Sequence, residues 1–450
     1  MHKHFVHPIL CLVLLSFSAL SPGTVLSADF NDAKLGITLD DFYTAAVAYS
    51  TRLKIAEEEL KIRGARKKAA NGQLFPQVVA NANLSENRRN VLALSQKFDG
   101  ERYSLQLRQA LFNWQAFSAR KQAYLIEDQA QAVYFYELAF LLTDVTEKYF
   151  NVLQAQDALE SIASEIDAVS NQLNQVQSLY DRQLAQITDL YQTQASLAAV
   201  QSEQLQLETD LAIRQEFLRT VSGINVGELF RLDNDAEIPP LENSVQFYVQ
   251  QSRERNQQIL AREYALQAAQ EQVSGTKGAY MPQVTFIAAR QDSDVGFDNL
   301  PINRTDNTYI GVDVSIPLFA GGSNRAAVSE AVSLRAIAEN ELRSIRLEAG
   351  EQVRSAFLQV QSSESRTEAA RILVESTTLA AEAMQQGFEL GTVTSVDVLD
   401  ALRNRYQAER DFQRTRYEHI QYLLLLKRET GILEAEDLVE VGTWLIPPDA

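Results

Sequence analysis

Two aspartates three residues apart are the side chains whose types and spacing best suit a chemical role in this sequence. Asp397 and Asp400 follow Thr394 and Ser395, so a helix beginning there would place both carboxylates on one face of its first turns. Carboxylates held close together attract cations and repel anions. The same residues also suit helix capping, with Thr394 or Ser395 as N-cap and the acids favoured by the helix dipole. Both interpretations are open from these residues alone.

The positions of cysteine and histidine exclude most catalytic and metal-binding chemistry. Cys11 is the only cysteine, and three of the four histidines lie before it. A chain that loses this N-terminal segment keeps no cysteine and one histidine, His419, which excludes a Cys/His zinc site, a disulfide and a Cys–His nucleophile pair. The sequence contains no Gly-Lys-Ser/Thr nucleotide motif. We therefore expect no enzyme, no cofactor and no metal.

The charge balance excludes a further class of protein. Lys and Arg number 41 against 59 Asp and Glu, which gives a net charge of −18. Proteins that bind the phosphate backbone need a basic surface instead. We therefore expect no nucleic acid partner.

The N-terminus has the three parts of a secretory signal peptide. A lysine near the start is followed by an apolar core over residues 9–20 and by a small-residue cleavage region over residues 25–28. The alternative is a membrane anchor, which needs an apolar run of about 20 residues. The run over residues 9–20 is shorter than that. We therefore expect residues 1–28 to be a signal peptide, cleaved after Ser27 or Ala28, and the mature protein to be exported.

The remaining chain contains very long segments without helix breakers. Residues 101–222 lack glycine and proline, and residues 318–446 lack proline. Both segments are rich in residues that favour helices. Apolar residues recur at spacings of three and four over residues 159–180, which is typical of a coiled coil. One helix over residues 114–180 would be about 100 Å long.

The sequence also contains an internal repeat. The matching segments, 206–208 residues apart, are residues 75–78 with 281–284, 111–112 with 318–319, and 180–189 with 388–397. A nearly constant offset over more than a hundred residues indicates two copies of one unit. We assign residues 29–238 to the first copy, 239–438 to the second and 439–450 to a C-terminal tail.

Each copy contains a predicted strand pair, over residues 77–113 and 282–318. Apolar and polar residues alternate there, most clearly over residues 309–316, so each strand has one apolar and one polar face. Such strands either pack on a soluble core or turn the apolar face to lipid and the polar face to water. In the second case four strands cannot close a barrel alone, and a free edge in hydrocarbon leaves backbone groups unpaired. Several chains would then share one barrel.

Several motifs make the sequence resemble the TolC family of outer-membrane channel proteins. They are Lys-Tyr-Phe-Asn-Val-Leu at 148–153, Ile-Thr-Asp at 187–189, Ser-Ile-Pro-Leu-Phe-Ala-Gly-Gly at 315–322, Gly-Phe-Glu-Leu-Gly at 387–391 and Val-Asp-Val-Leu-Asp-Ala at 396–401. The likeness extends from about Leu39 to Leu438. It implies an α+β fold in the outer membrane, in which a periplasmic barrel of long coiled-coil helices continues a transmembrane β-barrel. Three chains would share that β-barrel and give it four strands each.

The resemblance also implies a gate at the periplasmic tips of the helices. Asp397 and Asp400 match paired aspartates that ring the pore entrance, and Asp189 and Thr188 lie in the corresponding turn of the first copy. The carboxylates of three chains are expected to raise each other's pKa by mutual repulsion. Arg416 matches a further arginine of the gate network.

Two positions depart from the family pattern. Well-studied members carry a tyrosine and an arginine that help to lock the entrance, where this chain has Phe388 and Val393. Phe388 lacks the hydroxyl donor, and Val393 cannot pair with an acid of the neighbouring chain. Arg403 or Arg405 could substitute, or could be solvated charges of the helix face. We expect a closed entrance held by fewer polar links.

The partners that the resemblance implies are proteins and the lipid of the outer membrane. A homotrimer would receive small toxic compounds or secreted proteins from an inner-membrane ABC or RND-type transporter, through a periplasmic adaptor (membrane fusion) protein. The residues expected to contact the adaptor are Leu184, Ala185, Gly391, Thr392 and Val393. The alternative is a surface-anchored structural or adhesive coiled-coil protein. Strand pairs in both copies disfavour it, because adhesins usually concentrate their anchor at one end.

Overall fold

The computed structural model describes residues 36–91, 94–233, 236, 238–241, 243–296 and 298–448. The predicted signal peptide lies outside these residues. Each copy contains two shorter helices, a β-hairpin and two long helices. The first copy comprises α1 (Leu39–Tyr49), α2 (Thr51–Gly72), β1 (Gln77–Val91), β2 (Leu94–Phe112), α3 (Trp114–Asp181) and α4 (Ile187–Ser222), followed by β3 (Arg231–Leu232). The second comprises α5 (Val245–Arg255), α6 (Gln257–Lys277), a 3-10 turn (Gly278–Tyr280), β4 (Gln283–Val295), β5 (Pro301–Ser315), α7 (Ser323–Glu389) and α8 (Ser395–Thr430), followed by α9 (Ala435–Thr443) and β6 (Leu445–Ile446).

The long helices confirm the interpretation of the segments without breakers. Helices α3 and α7 have 68 and 67 residues, which corresponds to about 100 Å each. Helix α3 begins directly after β2, where the side-chain oxygen of Asn113 accepts a hydrogen bond from the N–H of Ala116 at 3.1 Å. It packs against α2, α4, α6 and α8, while α7 packs mainly against α6 and α8. None of the described helices has an apolar stretch long enough to cross a membrane.

The four long strands form one antiparallel sheet in the order β1-β2-β4-β5. The hairpins of the two copies therefore meet through β2 and β4. The side chains of Ile310, Val312 and Val314, on one face of β5, are 71%, 55% and 56% exposed. Within the described residues β1 and β5 pair on one side only. Both outer edges of the sheet therefore carry backbone groups without a strand partner.

The main apolar core lies where α3 and α8 meet α1, α9 and the β3–β6 pair. Tyr149 and Phe150 of α3 are completely buried there beside Phe42 of α1. The rings of Phe42 and Tyr149 meet edge to face at 5.8 Å, and the Tyr149 hydroxyl donates to the carbonyl oxygen of Phe230 at 2.9 Å. Residues of the motif at 148–153 thus contact both α1 and the segment between the two copies, and these contacts hold both against α3.

Candidate gate at the helical tips

The two tight turns that join the long helices have the same backbone geometry. Gln183 follows α3 with φ 63°, and Gly391 follows α7 with φ 72°, so both turns pass through the left-handed region. The next N–H groups, those of Leu184 and Thr392, donate back into the last turn of the preceding helix at 2.8 and 2.9 Å. Glycine adopts this conformation without a steric cost and glutamine does not. The turn of the second copy is therefore the less strained of the two.

A capping box begins α8. The hydroxyl oxygen of Thr394 accepts a hydrogen bond from the N–H of Asp397 at 3.3 Å, and the Asp397 carboxylate accepts from the Thr394 hydroxyl at 2.5 Å and from its N–H at 3.1 Å. Of the two predicted caps, Thr394 is the one used. The Thr394 hydroxyl and, next, its N–H lower the pKa of Asp397. These two donors stabilise the ionised form of the carboxyl.

The carboxylates of the tip lie at the starts of α4 and α8. Asp397 and Asp400 are both exposed, and Asp400 forms an ion pair with Arg403 at 3.4 Å. In the first copy Asp189 is half-buried, and its carboxylate accepts a hydrogen bond from the N–H of Gln186 at 3.4 Å. No three His, Cys, Asp or Glu side chains among the described residues are arranged to hold a metal ion. The chemistry available here is electrostatic attraction of cations.

The predicted adaptor-contact residues and Thr188 differ in exposure. Leu184, Thr188, Gly391 and Thr392 are exposed, and Ala185 and Val393 are half-buried. Leu390, at the end of α7, is also exposed. The exposed fractions of Leu184 and Leu390 are 72% and 79%, so each turn presents a leucine at its surface.

Phe388 and Val393 make apolar contacts within the tip. Phe388 packs against a small core that includes Val398 and Leu402 of α8. A Cβ atom at Gly387 would lie 2.6 Å from a γ-carbon of Val393, so the missing side chain at Gly387 lets Val393 fold back on α7. At the two positions where the chain departs from the family pattern, the turn is thus held by packing.

The outer membrane efflux protein family matches this chain twice, over residues 43–224 and 248–431, once in each copy. This chain belongs to that family. The resemblance, the fold class and the internal repeat are thereby confirmed. The protein is an outer-membrane exit duct, as the family match shows, and its relatives and structural neighbours are channels rather than enzymes.

Proteins similar to this efflux protein are found in several bacteria. The outer membrane protein TolC of Vibrio cholerae is 29% identical over 323 residues, which cover 70% of this chain and 73% of the relative. The alkaline protease secretion protein AprF of Pseudomonas aeruginosa is 24% identical over 348 residues, 76% of this chain and 72% of the relative. The Campylobacter jejuni CmeC outer membrane channel has the same fold, with a TM-score of 0.78 at 14% identity over 90% of this chain and 89% of that chain.

Arg416 of the efflux protein lies away from the tip. It follows Asp397 by nineteen residues on one helix, a distance of about 28 Å. Its guanidinium is buried and donates to the side-chain oxygen of Gln413 at 3.1 Å and to the carbonyl oxygen of Asp233, beside β3. The structure therefore does not bring Arg416 together with Asp397, Asp400 or the turn residues.

Arg405, the other arginine named as a possible substitute in the lock, pairs with Glu409 of its own helix at 3.0 Å.

Two tip residues, Gln172 and Thr193, were not found by sequence reasoning, and Ser395 was considered there only as a helix cap. Gln172, Thr193 and Ser395 are 1%, 0% and 2% exposed, and they belong to α3, α4 and α8. The Gln172 amide donates to the Ser395 hydroxyl at 3.4 Å, and the hydroxyls of Ser395 and Thr193 lie 3.2 Å apart. The only available signal was a glutamine three residues after Val169, on the apolar face of a coiled coil.

Proposed function

We propose that three copies of the chain form one channel through the outer membrane and periplasm, gated at the tips of the α3–α4 and α7–α8 hairpins. Assembly of several chains is supported by the open sheet, whose edge strands β1 and β5 need partners in hydrocarbon, and the number three comes from the family resemblance. Each chain contributes four strands, so neighbouring sheets that join edge to edge satisfy these backbone groups.

The observation that carries the gate is the position of the exposed carboxylates. Helix α7 begins a few residues after β5 and ends at the turn before Asp397, about 100 Å further along the helix axis. Asp397 and Asp400 thus mark the end of the tunnel opposite the sheet. Brought together from three chains, they form a ring that attracts cations and repels anions at the entrance.

The tips also bind a periplasmic adaptor protein, which connects the channel to an inner-membrane transporter of the ABC or RND type. The exposed leucines of both turns, Leu184 and Leu390, support this proposal because they offer apolar contact area at the outermost point. The adaptor opens the gate by binding the open state more tightly than the closed state. Leu184→Cys and Leu390→Cys channels that give no cross-link to a periplasmic protein in cells would contradict this docking.

The test of the gate is the single-channel conductance of purified trimers in planar bilayers. Wild type is compared with Asp397→Asn/Asp400→Asn, in which asparagine keeps the capping oxygen but removes the charge. A trivalent cation added from the side of the tips should block the wild type and not the double variant. Asp411→Asn, on the same helix and paired with Arg414 at 2.8 Å, is the matched control and should keep the block.

Two results would count against the proposal. An unchanged block in Asp397→Asn/Asp400→Asn would remove these carboxylates from the constriction. A wild-type conductance that favours anions would contradict a ring of carboxylates at the entrance.

A further inference from the structure

One face of the four-stranded sheet changes from apolar to charged near the loops that join β1 to β2 and β4 to β5. On the face that carries Val312 and Val314, the last apolar side chains before the loops are Leu84 of β1, Tyr103 of β2, Ala288 of β4 and Ile310 of β5. The loops lie at the end of the sheet opposite the long helices. In the proposed barrel, this change therefore marks the boundary between the hydrocarbon and the headgroups of the outer leaflet.

A groove of about 470 Å³ crosses this boundary. The residues of the lipid-facing side that line it are Ala80, Ala82, Tyr103, Leu105, Arg290 and Asp292. Ala80 and Ala82 lie directly opposite Leu105 and Tyr103 in the β1–β2 register, so two small side chains leave a depression beside two large ones. The groove thus has an apolar lower part and a charged upper part.

The two charged side chains of the groove are held in place, and each keeps one binding position. The Nε and Nη2 atoms of Arg290 donate to the carboxylate of Asp306 at 3.1 and 2.6 Å. Asp292 accepts a hydrogen bond from Nε of Arg304 at 2.8 Å through its Oδ1 atom. No described residue forms a hydrogen bond with Nη1 of Arg290 or with Oδ2 of Asp292. A guanidinium donor and a carboxylate oxygen are therefore available side by side.

We propose that this groove binds a phosphorylated lipid of the outer leaflet together with the divalent counter-ion of its phosphate. This inference rests on the proposed barrel and on the assignment of its faces. An acyl chain lies on Ala80 and Ala82, and the phosphate accepts hydrogen bonds from Nη1 of Arg290. The acids beside Arg290 would repel a bare phosphate. A phosphate that carries Mg²⁺ fits, because Mg²⁺ is bound by carboxylates together with phosphates, and Asp292 supplies the carboxylate.

A pair of cations further along the first hairpin also indicates anionic headgroups at this level. Arg88 and Lys97 lie directly opposite each other in the β1–β2 register, on the same face as Leu84. Like charges in this position repel each other. Among the described residues Arg88 has no ion pair, and Lys97 has only a long one, with Glu86 at 3.7 Å. Anionic groups of the surrounding lipid relieve this repulsion.

The test is native mass spectrometry of purified trimers with bisphosphorylated lipid A and Mg²⁺ as the probe. The wild type should bind one lipid per chain, and removal of Mg²⁺ with a chelator or of the phosphates from the lipid should weaken this binding. Arg290→Gln should weaken it by about tenfold or more, because a charge-assisted hydrogen bond is lost. Arg108→Gln is the matched control. It removes the same charge from the opposite face of β2, next to Leu107, and should bind as the wild type does.

A second variant keeps the test decisive if Arg290→Gln does not assemble. Ala82→Phe fills the groove and leaves the ion pairs of Arg290 and Asp292 in place, so it should also weaken binding. Val314→Phe adds a ring to the same face outside the groove and is its control. Equal binding by Arg290→Gln and Arg108→Gln, or by Ala82→Phe and Val314→Phe, would overturn the site. Unchanged binding of the lipid without phosphates would overturn it as well.

A labelling experiment separates failure of the site from failure of the barrel. In membrane-embedded trimers a water-soluble maleimide should label Asp313→Cys and leave Val312→Cys unlabelled, because only the second cysteine faces lipid. If this difference is found but lipid binding does not depend on Arg290 or Ala82, the lipid site alone is wrong. If both cysteines are labelled equally, the assignment of the faces fails, and the lipid site fails with it.

Discussion

At the scale of single residues, Asp397 performs the capping role, and its exposure is compatible with the proposed role at the entrance. Its carboxylate closes the capping box with Thr394, and it remains exposed at the tip. The capping hydrogen bonds hold its pKa below the ordinary value. A carboxyl with a depressed folded-state pKa stabilises the fold above its unfolded-state pKa and loses this contribution as the pH falls through the folded-state value.

The first prediction concerns the pH dependence of the cation block. In Asp400→Asn trimers the remaining block reports on Asp397, and it should change by less than about twofold between pH 7 and pH 5, since an aspartate whose pKa lies below its ordinary value is ionised at both pH values. The blocking concentration of a trivalent cation is the measurement. Asp397→Asn/Asp400→Asn supplies the baseline. A block that disappears between pH 7 and pH 5 would show that the carboxylates of the trimer raise each other's pKa more than Thr394 lowers it.

At the scale of the elements, α8 is attached to both helices of the first hairpin at two levels. Ser395 forms the lower link with α3 and α4. Fifteen residues further along α8, Arg410 pairs with Glu165 of α3 at 2.9 Å and with Glu203 of α4 at 3.6 Å. Burial raises the pKa of Glu165 although Arg410 acts against this rise. The upper link is thus a buried ion pair, which is costly to break from one side.

The second prediction follows from this burial. Arg410→Leu leaves the Glu165 carboxylate, whose side chain is 3% exposed, without its partner and should lower the free energy of unfolding by about 3–5 kcal/mol. Denaturant titration of the trimer measures the change. Glu165→Leu/Arg410→Leu should recover most of the loss, because no buried charge remains.

The control for this measurement is an exposed ion pair on another helix. Arg371 and Glu368 of α7 lie 2.8 Å apart with side chains 56% and 58% exposed, so Arg371→Ala should cost less than about 1 kcal/mol. Equal losses for Arg410→Leu and Arg371→Ala would show that the Arg410 pair is not buried in the assembled protein.

At the scale of the whole molecule, one chain presents a sheet that is incomplete by itself. Its order β1-β2-β4-β5 joins the two copies in the middle and leaves both edges open. The exposed valines and isoleucines of β5 alternate with polar residues. In the proposed barrel the first set faces lipid and the second set faces the water-filled interior.

The third prediction compares neighbouring residues on the two faces of β5. Val312→Arg should destabilise the barrel by about 2–4 kcal/mol, because it places a charge in the hydrocarbon. Asp313→Arg introduces the same side chain on the opposite face, which is wet, and should have little effect. The amount of trimer in the outer-membrane fraction is the measurement. Similar losses from both variants would contradict the assignment of the faces.

The elements of the gate were largely predictable because the signals that define them are local. The helix proposed for residues 114–180 is found as Trp114–Asp181, and the start of α8 depends on the neighbouring pair of Thr394 and Asp397. The placement of Arg416 was not predictable, because a match in sequence order does not reveal which level of a 36-residue helix lies beside the tip.

By itself the sequence determined the long helices, the four strands and the duplication, since breakers, alternation and repeated motifs act over a few residues each. Only the tertiary structure decided that β2 pairs with β4 and that Gln172, Thr193 and Ser395 converge. Ser395 is separated from Thr193 by 202 residues and from Gln172 by 223. Contacts over such separations depend on which helix faces pack together, and that choice is made by the burial of all the faces at once.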